Sequence, residues 1–174
     1  QIAAGEVIDR PASVLKELIE NSLDSGANKI AINISKGGHE LIQVSDNGCG
    51  MNQVDLRLAF QRHATSKIQK LEDLNSIRTL GFRGEALPSI ASVSMVTARS
   101  SEEDSNGFEI KIDGSAEQYL KPAAGLTGTT IKVQNLFYNT PARRKFLKKP
   151  KTEQAVINSI IRRFMLSRSD VGFR

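Results

Sequence analysis

Glu17 and Asn21 stand four residues apart in VLKELIENSLD, a spacing that makes them neighbours on the surface of a helix. A carboxylate there suits a general base that activates water, and an amide oxygen one turn on suits a hard cation such as Mg2+. The same pair also suits a plain solvated face, which Glu20 and Asp24 would share. A second cluster, Asp46-Asn-Gly-Cys-Gly50, follows the alternating run ELIQVS. Asn and Gly tolerate positive φ and Asp can bond its own backbone, so a turn is the simplest reading, with Cys49 a small side chain in a tight place.

Three further stretches have chemistry to offer. In LGFRGEAL, Gly81 and Gly84 flank Phe82 and Arg83 and lead through Glu85, Ala86 and Leu87 into a helical pattern, where exposed amides can meet phosphate. This is neither GxxxxGK[ST] nor GxGxxG, so two common phosphate loops are excluded. RHATSK offers Thr65, Ser66 and Lys67 as a phosphate-contacting segment or a helix cap; with only His39 and His63 in the chain and no HExxH or cysteine-rich pattern, zinc and Ser-His chemistry are not supported. Arg143, Arg144, Lys145, Lys148, Lys149 and Lys151 could follow a phosphate backbone without reading bases, or form an ordinary solvated surface.

Positioning these residues takes a mixture of helices and strands. PASVLKELIENSLDSGA starts with a proline suited to a first turn and places Val14, Leu15, Leu18, Ile19 and Leu23 on one face, ending near Gly26. KIAINIS alternates as a strand, KGGHE turns the chain, and LIQVS returns as its hairpin partner. A short helix is expected over residues 52–60, with Asn52 as N-cap and Val54, Leu58 and Ala59 as its apolar members. Pro88 restricts the next helix to one that holds it in the first turn. SVSMVTARS, GFEIKID and TTIKVQN are expected strands, separated by SSEEDSN and KPAAGLTG. NTPARRKFLKKPKTE reads as a loop, the helix after it is anchored by Val156, Ile160, Ile161 and Phe164, and DVGFR reads as a final strand.

The 174 residues suit one domain with an ordinary globular balance, 39% hydrophobic and 25% charged. A net charge of +5 fits a phosphate-rich partner, while 5% aromatic residues and no tryptophan supply few surfaces for base stacking. A lone cysteine excludes an internal disulfide and a cysteine-rich metal site, and points to a reducing compartment. No apolar run approaches membrane-spanning length.

QIAAGEVIDRPASVLKELIENSLDSGA, DNGCGM, RHATSK, GFRGEAL, GTT at 128–130 and LFYNTPARRKF occur in the order seen in the MutL family of DNA mismatch repair ATPases. The chain resembles that family, and its bacterial members in particular, over essentially its whole length. ENSLD and DNGCG are shared with the wider GHKL superfamily of DNA gyrase B, Hsp90 chaperones and sensor histidine kinases; GFRGEAL with FYNTPAR is more specific. The resemblance implies a Bergerat-type α/β (α+β) two-layer sandwich with a mixed, largely antiparallel sheet. It further implies that residues 1–174 are an N-terminal ATPase domain fragment, ending at or before a second domain that supplies a lysine to the γ-phosphate.

It also implies roles, residue by residue. Glu17 would deprotonate the attacking water and Asn21 would coordinate Mg2+. Asp46 would accept a hydrogen bond from the adenine amino group of ATP, with Thr129 on the same side, and Gly48, Gly50 and Met51 would line the nucleotide. Thr65, Ser66 and Lys67 would close over ATP, and Gly81, Phe82, Arg83, Gly84, Glu85, Ala86 and Leu87 would face its phosphates. The implied partners are a second copy through an ATP-dependent N-terminal dimer, a MutS-type mismatch recognition protein, a downstream endonuclease and helicase, and DNA held non-specifically, in the bacterial cytoplasm. Two other readings are a type II topoisomerase ATPase subunit, which GFRGEAL and FYNTPAR disfavour, and a basic DNA-binding scaffold without hydrolysis, which Glu17 disfavours.

Overall fold

The computed structural model describes residues 8–62 and 84–174. The first helix, α1 (Pro11–Asp24), has Pro11 in its first turn and buries Val14, Leu15, Leu18, Ile19 and Leu23, the face expected from its 3.6-residue period. Strands β1 (Lys29–Ser35) and β2 (Leu41–Asp46) form the expected antiparallel hairpin, joined through a 3-10 turn at Lys36–Gly38. Next come α2 (Gln53–Leu58), α3 (Ala86–Ser92), β3 (Met95–Ser101), β4 (Gly107–Asp113), β5 (Ala116–Ala123) and β6 (Gly128–Gln134). The chain then forms α4 (Pro141–Lys145), α5 (Pro150–Ser167) and the short β7 (Gly172–Phe173).

The seven strands make one sheet in the order β5-β4-β3-β6-β2-β1-β7. Every neighbouring pair is antiparallel except β1 with β7, so the sheet is mixed and largely antiparallel. Alternate residues of β2, β3, β4 and β6 point into a single core: Ile42 and Val44, Val96 and Ala98, Ile110 and Ile112, Ile131 and Val133. The residues between them, such as Gln43, Thr97, Lys111 and Lys132, are half-buried or exposed. Helix α1 packs on β2 and α5, α3 packs on β3 and β4, and α2 packs on β4.

Four details differ from the sequence reading. Helix α2 has the expected Asn52 cap, whose Oδ1 accepts the Asp55 N–H at 3.0 Å, but its buried residue is Leu56, while Val54 is 66% exposed. Strand β5 was not expected: Ala, Glu, Gln and Lys are poor strand formers, and Pro122 is tolerated because β5 lies at the sheet edge. The basic stretch read as a loop contains α4, with Pro141 in its first turn and helix-forming Ala142, Arg143, Arg144 and Lys145 after it. Helix α5 begins at Pro150, earlier than its apolar period suggests. Its fully buried residues are Ile157 and Glu153, with Val156, Ile160, Ile161 and Phe164 packed against the core as partly buried neighbours.

Candidate functional site

The core of the sheet turns polar along one row. Asp46 on β2 is directly opposite Thr129 on β6, which is directly opposite Ser100 on β3, so the three side chains share one face. The two rows behind it are Val44, Ile131 and Ala98, then Ile42, Val133 and Val96, all buried. Three strands thus replace an aliphatic residue with a hydrogen-bonding one at the same level, where each polar group needs a partner.

The carboxylate of Asp46 has three donors. Its Oδ1 accepts the N–H of Gly48 at 2.9 Å and of Thr129 at 3.2 Å, and its Oδ2 accepts the Ser22 hydroxyl at 2.8 Å. Burial pushes its pKa above the ordinary 3.8, opposed in turn by the bonds from Gly48, Ser22 and Thr129, and the balance is upward. A carboxylate oxygen can accept two hydrogen bonds, so Oδ2 retains acceptor capacity beyond its bond from Ser22.

Ser22 belongs to α1 and is the polar member of its buried stripe. Its bond fixes that turn of α1 against the end of β2, and with it the adjacent Asn21. Glu17 lies one turn before Asn21, and about 7.5 Å of helix rise separates it from the level of Ser22. Both Glu17 and Asn21 are half-buried. The helix therefore presents an amide and a carboxylate in series, leading away from Asp46.

The turn after β2 is fastened through Asn47, Gly48, Cys49 and Met51. The Asn47 Oδ1 accepts the N–H groups of Asn28 at 3.1 Å and Lys29 at 2.9 Å, and its Nδ2 donates to Asn28 Oδ1 at 2.8 Å, which pins the start of β1. Cys49 N–H donates to the Ser25 carbonyl at 3.0 Å. A Cβ on Gly48 would sit 1.8 Å from Ser25 Oγ; Gly50 has φ +72°, and a Cβ there would sit 1.9 Å from the Ser101 carbonyl oxygen. Both glycines are thus required by packing against the protein itself. Met51 N–H donates to Ser100 Oγ at 2.8 Å, tying the turn to the polar row. Cys49 is exposed rather than in a tight place, because its flanking glycines take up the close contacts.

The other residues singled out from the sequence fall into three groups. Gly84, with φ +57°, Glu85, Ala86 and Leu87 lead into and begin α3, and Pro88 is accommodated in that helix's first turn. Thr65, Ser66, Lys67, Gly81, Phe82 and Arg83 lie outside the described residues. Arg144, Lys145, Lys148, Lys149 and Lys151 are exposed around the α4–α5 junction. Arg143 is instead half-buried: it donates to the Ile8 carbonyl at 2.9 Å and stands over the Phe137 ring, 5.2 Å from its centre.

Two members of the site escaped the sequence reading. Ser22 was legible as a hydroxyl on an otherwise apolar helix stripe. Ser100 had a weaker signal, a serine in phase with Val96 and Ala98 on a core-facing strand. Its hydroxyl lies 2.7 Å from Thr129 Oγ1 and 3.2 Å from the Gly128 carbonyl oxygen.

Comparison with known proteins matches the chain to one family. The model of the histidine kinase-, DNA gyrase B- and HSP90-like ATPases matches residues 9–136. The chain is 56% identical over 175 residues to the DNA mismatch repair protein MutL of Haemophilus influenzae (strain PittEE), covering 99% of this chain and 28% of that protein. It is 56% identical over 173 residues to MutL of Shigella boydii, again spanning 28% of the relative's length. Among solved structures, the Aquifex aeolicus MutL ATPase domain complexed with ADP aligns with a TM-score of 0.75 at 34% identity, covering 96% of this chain and 59% of that one. The N-terminal domain of a DNA repair protein aligns with a TM-score of 0.80 at 29% identity, covering 97% of this chain and 49% of that one. The chain belongs to the histidine kinase-, DNA gyrase B- and HSP90-like ATPase family, and within it matches the ATPase domain of bacterial MutL.

Proposed function

We propose that this chain is the Mg2+-dependent, ATP-binding and ATP-hydrolysing domain of a DNA mismatch repair protein, the N-terminal part of a longer chain. In that protein, ATP-driven dimerisation would couple mismatch recognition to strand incision and excision. The observation that carries the reading is the polar row Asp46–Thr129–Ser100 joined through Ser22 to the helix that bears Asn21 and Glu17. Asp46, oriented by three donors and still able to accept, suits the amino group of adenine. Asn21 and Glu17 then lie further along α1, and the motif match assigns them to the phosphate end of the nucleotide.

Among the described residues, no group of three His, Cys, Asp or Glu side chains is placed to hold a metal. Mg2+ needs no such cage when phosphate oxygens and water fill most of its coordination shell, and the Asn21 amide oxygen is a suitable single protein ligand. When bound, Mg2+ would neutralise charge on the phosphates. Glu17 would orient a water for attack and take its proton, and backbone amides around Gly84 and Glu85 would stabilise the developing charge. Arg83 and the Thr65, Ser66 and Lys67 segment are assigned to the phosphate side by the motif match alone.

The exposed Arg144, Lys145, Lys148, Lys149 and Lys151 support non-specific contact with the DNA backbone. A MutS-type protein, a downstream endonuclease and a helicase complete the proposed set of partners, in the cytoplasm of a bacterium. Nucleotide titration and turnover in a full-length protein carrying this chain test the assignment. Asp46→Ala and Asn21→Ala should each weaken ATP binding severely, whereas Glu17→Ala should keep binding and abolish hydrolysis. Unchanged affinity in both binding variants would sink the site.

A further inference from the structure

We infer that Ser100 is a specificity-determining positioning residue for the purine base, acting through Thr129. This rests on the reading of Asp46 and Thr129 as the adenine side of the site. Ser100 is buried, and its hydroxyl has three neighbours: Met51 N at 2.8 Å, Gly128 O at 3.2 Å and Thr129 Oγ1 at 2.7 Å. A serine hydroxyl offers one hydrogen and two lone pairs. The Met51 amide can only donate, so it takes one lone pair. The Gly128 carbonyl can only accept, so it takes the hydrogen. With the hydrogen on Gly128, the remaining lone pair accepts the Thr129 hydroxyl hydrogen, the one arrangement that makes all three contacts hydrogen bonds.

This count fixes the polarity of Thr129. With its hydrogen committed to Ser100, its oxygen offers only lone pairs to anything else it meets. Asp46, opposite Thr129 on the next strand, is likewise an acceptor when ionised. The wall formed by the two side chains therefore accepts hydrogen bonds along its length. The 6-amino group of adenine satisfies such a wall, whereas the 6-carbonyl of hypoxanthine or guanine would set lone pair against lone pair. An unmatched polar contact of this kind is what gives a site strong discrimination. Removing the Ser100 hydroxyl frees the Thr129 hydrogen to turn toward a carbonyl.

The test is the ratio of ATP to inosine triphosphate affinity in a full-length protein carrying this chain, measured for the parent, Ser100→Ala, Thr129→Val and the double variant. Ser100→Ala should lower the preference for ATP by about fivefold to tenfold, the worth of about one hydrogen bond. In the Thr129→Val background the same change should leave the ratio unmoved. A purely structural role for Ser100 would weaken both nucleotides equally, and that outcome overturns the inference. So does a full-sized Ser100→Ala effect on the ratio in the Thr129→Val background. If Ser100→Ala folds poorly, Thr129→Val alone must lower the ratio, and an unchanged ratio there also overturns it. Asp46→Ala separates this from the broader reading: severe loss of ATP binding there alongside an unmoved Ser100→Ala ratio removes only the role of Ser100. Undiminished ATP binding in Asp46→Ala removes the adenine site, and this inference with it.

Discussion

The Ser22 hydroxyl lies 2.8 Å from Asp46 Oδ2, across 24 residues of sequence, and joins the last turn of the site's helix to the end of its strand. That bond sets α1, with Asn21 and Glu17, against the carboxylate at the other end of the site. Ser22→Ala should cost about 1 kcal/mol of stability, the net worth of one hydrogen bond. It should also lower ATP affinity, because Asp46 loses the donor that orients Oδ2. Denaturant unfolding and nucleotide titration of the same variant would check both, and unchanged affinity would show that Asp46 is oriented by its two backbone donors alone.

Asp46→Asn should separate stability from binding. The Asp46 pKa is raised in the folded protein above its ordinary 3.8, first because of burial. The folded state therefore holds the proton more tightly than the unfolded chain. That contribution to stability is fully present below pH 3.8 and is lost as pH rises through the folded pKa. At neutral pH the ionised carboxylate is thus a net cost to the fold. Asparagine removes the charge while its oxygen can still accept from Gly48 and Thr129 and its amide can donate to Ser22 Oγ. The melting temperature at pH 7 should hold or rise and ATP affinity should fall, because the amide's hydrogens would oppose the adenine amino group. A melting temperature that falls at pH 7 and recovers in acid would contradict this.

Much of this was legible in sequence, for identifiable reasons. The face of α1, the hairpin of β1 and β2 and the Asn52 cap follow local rules that operate within a few residues. Asp46 and Thr129 could be named from their motifs, but their pairing depends on a register set across 83 residues. Ser22 and Ser100 needed the same long-range alignment before their hydroxyls acquired partners. Strand β5 was hidden because its pairing with β4, rather than its composition, makes it a strand. Val54 was misassigned because a six-residue helix offers too little period to locate its buried side, which Leu56 occupies.

Gly50→Ala should be destabilising by about 2 kcal/mol or more. The backbone at Gly50 has φ +72°, where an L side chain is strained, and the added Cβ would meet the Ser101 carbonyl oxygen at 1.9 Å. That oxygen belongs to the backbone at the end of β3 and cannot swing aside as a side chain would. The shift would be passed to Met51 and its bond to Ser100. Thermal unfolding should show the loss without nucleotide, and a parent-like midpoint would mean that the turn relaxes freely.

The basic residues near α4 and α5 should divide into structural and surface sets. Glu153 is only 1% exposed, yet it accepts from Arg10 at 3.0 Å and from the Lys148 N–H at 3.0 Å. Removing Arg10 leaves a buried carboxylate without its charge partner, whereas removing Glu153's charge frees a guanidinium that already reaches water. Arg10→Ala should therefore cost about 2 to 3 kcal/mol, less than for a fully buried pair because Arg10 is 35% exposed. Glu153→Gln should cost less than Arg10→Ala, since its amide oxygen can still accept from Lys148. Replacing Arg144, Lys145 and Lys149 together should leave the unfolding midpoint within experimental scatter and flatten the salt dependence of DNA binding by about one logarithmic unit per lost phosphate contact. Equal costs for Arg10→Ala and the triple surface variant would erase the division, and a salt slope unchanged from the parent's would remove this patch as the proposed DNA contact.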